Sequence, residues 1–304
     1  MAMRIHHLDC GPARPLGGAL MDGVSSGPTA RLACHCLLIE TDRDGLVLVD
    51  TGFGMRDVTE PYARLSPLFI HLNRIQFDPR DTALHSVEAR GFSRRDVRHI
   101  VITHLDFDHA GGIEDFPHAT VHVLGDELRA ARRREGFIAK RRYRPEQWDE
   151  VMEWRTYRAG GERWFGFEAV RDLDGLPPEI LMIPLPGHTW GHAGVAVDTP
   201  DGWLLNAADT YFVRHEVDRP ERECPPGARA YQRMMAMDYE LHLHNQDRVR
   251  DLAHDERAGV RVFCSHDPIE LEALQRLSGS EARSRNAGTR AGQWRGETGA
   301  HATR

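Results

Sequence analysis

The stretch Thr103-His104-Leu105-Asp106-Phe107-Asp108-His109-Ala110-Gly111-Gly112 places two imidazoles and two carboxylates within six residues. The run before it, His99-Ile100-Val101-Ile102-Thr103, is short and β-branched, which reads as a buried strand feeding a loop. Imidazole and carboxylate together suit zinc, iron or manganese. Alternate residues of an extended loop can face one ion from one side, whereas a helix would scatter them. Gly111 and Gly112 then allow a sharp exit. The stretch reads as a metal-binding loop at a strand end. In a chain with 18 histidines a lone His-x-Asp means little, so the reading rests on what other strand ends supply.

They supply the same residue types. Ile180 to Leu185 reads as a strand and runs into Pro186-Gly187-His188-Thr189-Trp190-Gly191-His192. Trp203 to Asn206 runs into Ala207-Ala208-Asp209-Thr210-Tyr211, and Val260 to Cys264 into Ser265-His266-Asp267-Pro268, where Asp267 caps and Pro268 begins a last helix. Nearer the N-terminus, Leu32 to Glu40 and Leu46 to Asp50 flank an Asp-Gly turn and form a hairpin. Its second strand ends at Asp50, which either orients the metal loop through hydrogen bonds or closes an Asx turn. His104, Asp106, Asp108, His109, His188, Asp209 and His266 together can hold two metal ions.

This ordered set resembles the metallo-β-lactamase fold superfamily, whose pattern is His-x-His-x-Asp-His, then Gly-His, then Asp, then His. The resemblance spans roughly Leu32 to Leu277 and implies an α/β fold, a four-layer αββα sandwich with metals at the mouth between two sheets. It assigns His104 and His188 to a first metal, Asp108, His109 and His266 to a second, and Asp209 to the bridge, with His192 as outer support. One ligand departs from the pattern: Asp106 stands where the second histidine is expected. Two divalent ions are implied, zinc first, with iron or manganese as alternatives because a carboxylate is shorter and harder than imidazole.

The Leu-x-Phe-Asp-His-Ala-Gly-Gly form of the loop is similar to acyl-homoserine lactonases and related esterases of the superfamily. The implied function is a metal-dependent hydrolase that uses a metal-bound hydroxide to cleave an ester or lactone of a small molecule. Asp108 would carry the proton, and Tyr211, just after Asp209, would donate a hydrogen bond to the substrate carbonyl. An iron-dependent oxidoreductase on the same fold, motivated by Asp106, and a thioesterase of the glyoxalase II type are the alternatives.

The whole chain, 304 residues, reads as one domain over 1–278 with helical insertions and a disordered tail over 279–304, rich in Gly, Ser, Ala, Thr and Arg. A net charge of -7 gives no basic field for nucleic acid or anionic membrane, so the expected partner is a small-molecule substrate. Met1 to Gly23 shows no apolar core of signal-peptide length, no apolar run reaches the length of a spanning helix, and five scattered cysteines lack paired CxxC spacing. Reduced thiols in a cytoplasmic protein are expected. The arginine-dense segment 129–144 (Arg129, Arg132, Arg133, Arg134, Lys140, Arg141, Arg142, Arg144) reads as a solvated helix face. Pro61 to Leu84 reads as a lid-like insertion. His242 and His244 are two apart on a helix, do not share a face, and read as surface histidines.

Overall fold

The structure is a computed structural model that describes residues 3–170 and 172–279. Six strands form the first sheet in sequence order: β1 (Arg4–Asp9), β2 (His35–Glu40), β3 (Leu46–Val49), β4 (Val97–Val101), β5 (Thr120–Leu124) and β6 (Trp154–Tyr157). β7 (Glu162–Trp164) and β8 (Phe167–Ala169) make a small hairpin. The second sheet contains β9 (Ile180–Pro184), β10 (Ala193–Thr199), β11 (Gly202–Asn206) and β12 (Val260–Phe263), in the order β12-β11-β10-β9.

Alternation along the strands explains the layering. Leu37 and Ile39 of β2, with Val47 and Val49 of β3, point to one side and pack on Met182, Val195, Val197 and Phe263 of the second sheet. Their neighbours Leu38 and Leu48 point the other way, with Ile100 and Val121, onto Val87, Leu128 and Ala131 of outer helices. On the far side Leu181, Ile183 and Leu205 pack on Val249 and Leu252 of the helix Tyr239–His254. Both faces of each sheet are covered, so the strands are apolar on both sides. The result is helix, sheet, sheet, helix, the αββα sandwich that the resemblance implies.

Strand direction gathers the site. β3 and β4 are parallel, as are β11 and β12, so the residues after each pair emerge at the same edge of their sheet. Asp50 thereby comes beside Thr103, and Asp209 beside His266.

Three expectations change. The metal loop is extended only as far as Asp106, since Phe107–Ala110 is one helical turn that redirects Asp108 and His109. His242 is buried and donates to Gln232 Oε1 at 3.1 Å, while His244 is exposed as expected. The arginine segment forms helices Gly125–Arg133 and Gly136–Arg142, and most of its cations are exposed. Arg142, however, is fully buried, because the chain turns inward at the end of the second helix. Pro61 to Leu84 contains the short helices Pro61–Arg64 and Pro67–Asn73 and packs Phe69, Ile75 and Phe77 around Phe53 and Phe107, next to the metal loop. Residues 268–279 are helical, and the rest of the expected tail lies outside the described residues. Among the described residues no helix is long and apolar enough to cross a membrane.

Leu37 is 0% exposed between the two sheets. Leu37→Ala is expected to cost about 2–5 kcal/mol of stability through lost burial and a residual cavity. Chemical denaturation will test this; a loss under about 1 kcal/mol would mean that the inter-sheet layer is not tightly packed there.

Candidate metal centre

The structure brings together all seven residues singled out as ligands. His104, His188 and Asp209 have ligand atoms within 4.8 Å of one another, and so do His109, Asp209 and His266. Asp209 belongs to both groups. Its Oδ2 lies 3.7 Å from His104 Nε2 and 3.4 Å from His188 Nε2, and its Oδ1 lies 3.2 Å from both His109 Nε2 and His266 Nε2. Asp106 Oδ2 joins the first group at 3.1 Å from His188 Nε2 and 3.6 Å from His104 Nε2. Asp108 Oδ2 approaches the second, 3.9 Å from His266 Nε2.

The donor set fits divalent ions. His104 Nε2, His109 Nε2 and Asp209 Oδ1 are buried without a hydrogen-bond partner, although buried polar atoms are almost always paired. Nitrogen and carboxylate oxygen atoms converging at these separations suit ions that bind each at about 2.0–2.2 Å.

Hydrogen bonds behind the rings fix their orientation. His109 Nδ1 donates to Asp50 Oδ2 at 2.9 Å, and Asp50 also accepts from the Thr103 N–H and hydroxyl, each at 2.8 Å. His104 Nδ1 lies 3.0 Å from that hydroxyl. Asp50 therefore orients the loop instead of only closing a turn, and it does so from a left-handed backbone with φ 56°. His266 Nδ1 donates to Ala33 O, and His192 Nδ1 to Leu185 O, both at 2.8 Å. His192 Nε2 accepts the Asp209 N–H at 3.0 Å, so it steadies the shared carboxylate through its backbone. A donor bond at Nδ1 leaves Nε2 free as a ligand atom.

Glu127, unremarked in the sequence, ties two loops together. It accepts from Leu105 N in the metal loop at 2.9 Å, and from Thr189 Oγ1 at 2.5 Å and Gly191 N at 3.1 Å in the His188 loop. Gly191 permits this approach: a Cβ there would lie 2.1 Å from Glu127 N.

Burial alone would raise the carboxylate pKa values, yet both central carboxylates are held well below the usual range. Arg142 and then His104 do this for Asp106; His266, His109 and His104 do it for Asp209. Burial likewise opposes protonation of the histidines, but Asp209 and Asp50 hold the His109 pKa well above its ordinary value. Asp209 and Asp108 raise that of His266 to about 9.

The expectation for Tyr211 needs revision. Tyr211 is fully buried behind the second sheet and donates to Glu270 Oε1 at 2.9 Å, so it faces away from the ligands. The chain passes through a 3₁₀ turn at Ala208–Thr210 and becomes extended at Tyr211, which carries its ring to the rear. Tyr231 instead lines the cleft above Asp106, Asp108, His188, Asp209 and His266, together with Met235, one turn later on the helix Pro226–Met235. Their i, i+4 spacing was the available signal. Cys34 was also missed: its sulfur lies within 4.8 Å of ligand atoms of Asp108 and His266.

Residues 29–241 match the Metallo-beta-lactamase superfamily. A probable metallo-hydrolase of Mycobacterium tuberculosis is 39% identical over 266 residues, covering 88% of this chain and 81% of its own. An N-acyl homoserine lactonase of Bacillus thuringiensis is 25% identical over 278 residues, covering 86% of this chain and 94% of its own. The fold is shared with a solved N-acyl homoserine lactone hydrolase that holds N-hexanoyl-L-homoserine at its catalytic metal centre. That structure aligns with a TM-score of 0.66 at 20% identity, over 90% of this chain and 97% of that one.

The His266 proton gives a signed pH prediction. A histidine pKa raised from 6.5 to about 9 stabilises the metal-free fold fully below pH 6.5, and this contribution is lost as pH rises through about 9. A metal ion bound at His266 Nε2 would displace the same proton, and apparent affinity is then expected to rise at least about tenfold per pH unit between 6.5 and 9. Chelator competition at pH 7 and 8, with melting of the metal-free protein, measures both. Affinity independent of pH would rule out His266 as a ligand.

Proposed function

The chain belongs to the metallo-β-lactamase superfamily and is a metal-dependent hydrolase of that fold, and from that premise we propose that it opens the ester bond of a small lactone at two zinc ions. His104, Asp106, His188 and Asp209 would hold the first ion; Asp108, His109, Asp209 and His266 would hold the second. When bound, such ions supply a nucleophile at neutral pH and draw charge from the substrate carbonyl.

The observation that carries the lactone reading is the wall of the cleft. Above the polar floor stand Phe69, Ile75, Phe107, Phe212 and Met235, which suit an acyl chain and exclude water from the reacting ester. The lactonase relatives add support at the level of sequence and fold. Tyr231, the one tyrosine among the lining residues, would donate its hydroxyl to the acyl carbonyl as charge develops there. Asp108 has a side chain 23% exposed, against 4% for Asp209 and 5% for Asp106. It stands at the mouth, where it would pass a proton to the departing alkoxide.

A panel of N-acyl homoserine lactones, aryl esters and thioesters, assayed on zinc-loaded protein, tests the proposal. Lactones are expected to turn over fastest, Asp209→Ala to abolish turnover, and Tyr231→Phe to lower kcat about 100-fold. Preference for thioesters would make the protein a thioesterase. Redox-active iron with no hydrolysis at all would replace the hydrolytic reading.

A further inference from the structure

Asp106 stands where the superfamily pattern has its second histidine, and a buried cation stands behind it. Arg142 is fully buried, with Nε 3.3 Å from Asp106 Oδ1. Its other two nitrogens donate to the carbonyls of His188 at 2.9 Å and Met235 at 2.5 Å. The next residue, Tyr143, makes an antiparallel backbone bridge to Asp106, so chain and charge fix the pair together. Asp106 Oδ1 and Arg142 Nε are both buried and make no hydrogen bond to any residue, so what joins them is the ion pair itself. Asp106 Oδ2 is left facing His188 and His104.

We propose that Arg142 is a positioning residue that makes Asp106 a single-oxygen, charge-compensated replacement for the missing histidine in the first metal site. The proposal rests on the two-ion reading above. A carboxylate alone would add a negative charge and could turn both oxygens to the ion, a geometry that favours larger and harder cations than zinc. The guanidinium occupies one oxygen and cancels the charge. The pair then presents one donor atom and no net charge, as an imidazole does. Conversely, an arginine this close to a dication is repulsive unless a carboxylate lies between them. Residues 106 and 142 therefore have to change together.

The test compares wild type with Asp106→His, Arg142→Met and the double variant, by zinc content after dialysis, chelator competition and melting of the metal-free proteins. Wild type should hold two zinc ions per chain. Asp106→His restores the pattern's histidine yet should weaken the first site by about 10- to 100-fold, the usual effect of disturbing a ligand's support, leaving one ion. Asp106→His/Arg142→Met should regain the second ion. Arg142→Met alone frees both Asp106 oxygens and should shift zinc-over-manganese preference about tenfold towards manganese.

Full zinc affinity in Asp106→His overturns the proposal, and so does a double variant no better than that single one, or an unchanged metal preference in Arg142→Met. If Asp106→His does not fold, a folded double variant with two ions supports the coupling and one with a single ion refutes it. Fewer than two ions in wild type would instead refute the two-ion reading, a separate result.

Discussion

The buried carboxylate of Asp209 is the constraint around which the rest of the structure is arranged. A carboxylate taken out of water is tolerated only with close partners, and four imidazoles surround this one. They come from three separate strand ends, so the cluster exists only if both sheets present their ends at one mouth. The parallel pairs β3–β4 and β11–β12 meet that condition. Asp50 and Glu127 then lock the loops to one another, each accepting several hydrogen bonds that no local turn could supply. The charge balance at the mouth and the stacking of the sheets are thus two parts of one arrangement.

Local patterns made much of this legible in the sequence. A short apolar run followed by histidine or aspartate beside glycine is a signal carried by adjacent residues, and it located all seven clustered side chains. Signals spread over distant residues were not legible. Arg142 sat in a run of eight cations, and composition correctly described most of them as solvated. Only the inward turn after Gly136–Arg142 and the backbone bridge of Tyr143 to Asp106 single it out. Tyr211 was misplaced for the opposite reason, because nearness in sequence to Asp209 is not nearness to the cleft once a 3₁₀ turn intervenes. His242 shows a related failure: the two-residue spacing separates it from His244 around the helix but does not say which of them faces the sheet, and His242 is the buried one.

The insertions have consequences for the site as well as for the surface. The helix Pro67–Asn73 sets Phe69 edge-on against Phe107 with ring centroids 4.7 Å apart, which joins the insertion to the metal loop itself. On the other side the helix Pro226–Met235 contributes Tyr231 and Met235, and its last turn accepts a hydrogen bond from Arg142. One wall of the cleft is therefore fastened to the residue that holds Asp106. A change of packing in that helix reaches the first group of ligands through Arg142.

The two ligand groups are unequal, and the inequality gives the cleft a direction. On the first side His104, Asp106 and Arg142 are closed from solvent by side chains that are at most 5% exposed. On the second, Asp108 is 23% exposed, and Cys34 adds a polarizable sulfur beside it and His266. The closed side can hold a ligand with little exchange of water, because its charges are balanced within the protein. The open side keeps a carboxylate in contact with water, the arrangement needed by a group that has to take up and give away a proton. On the proposed chemistry, the acyl chain lies along the aromatic wall near Phe69 and Phe107. The ring oxygen then points to Asp108, so the leaving group departs towards the opening instead of into the core.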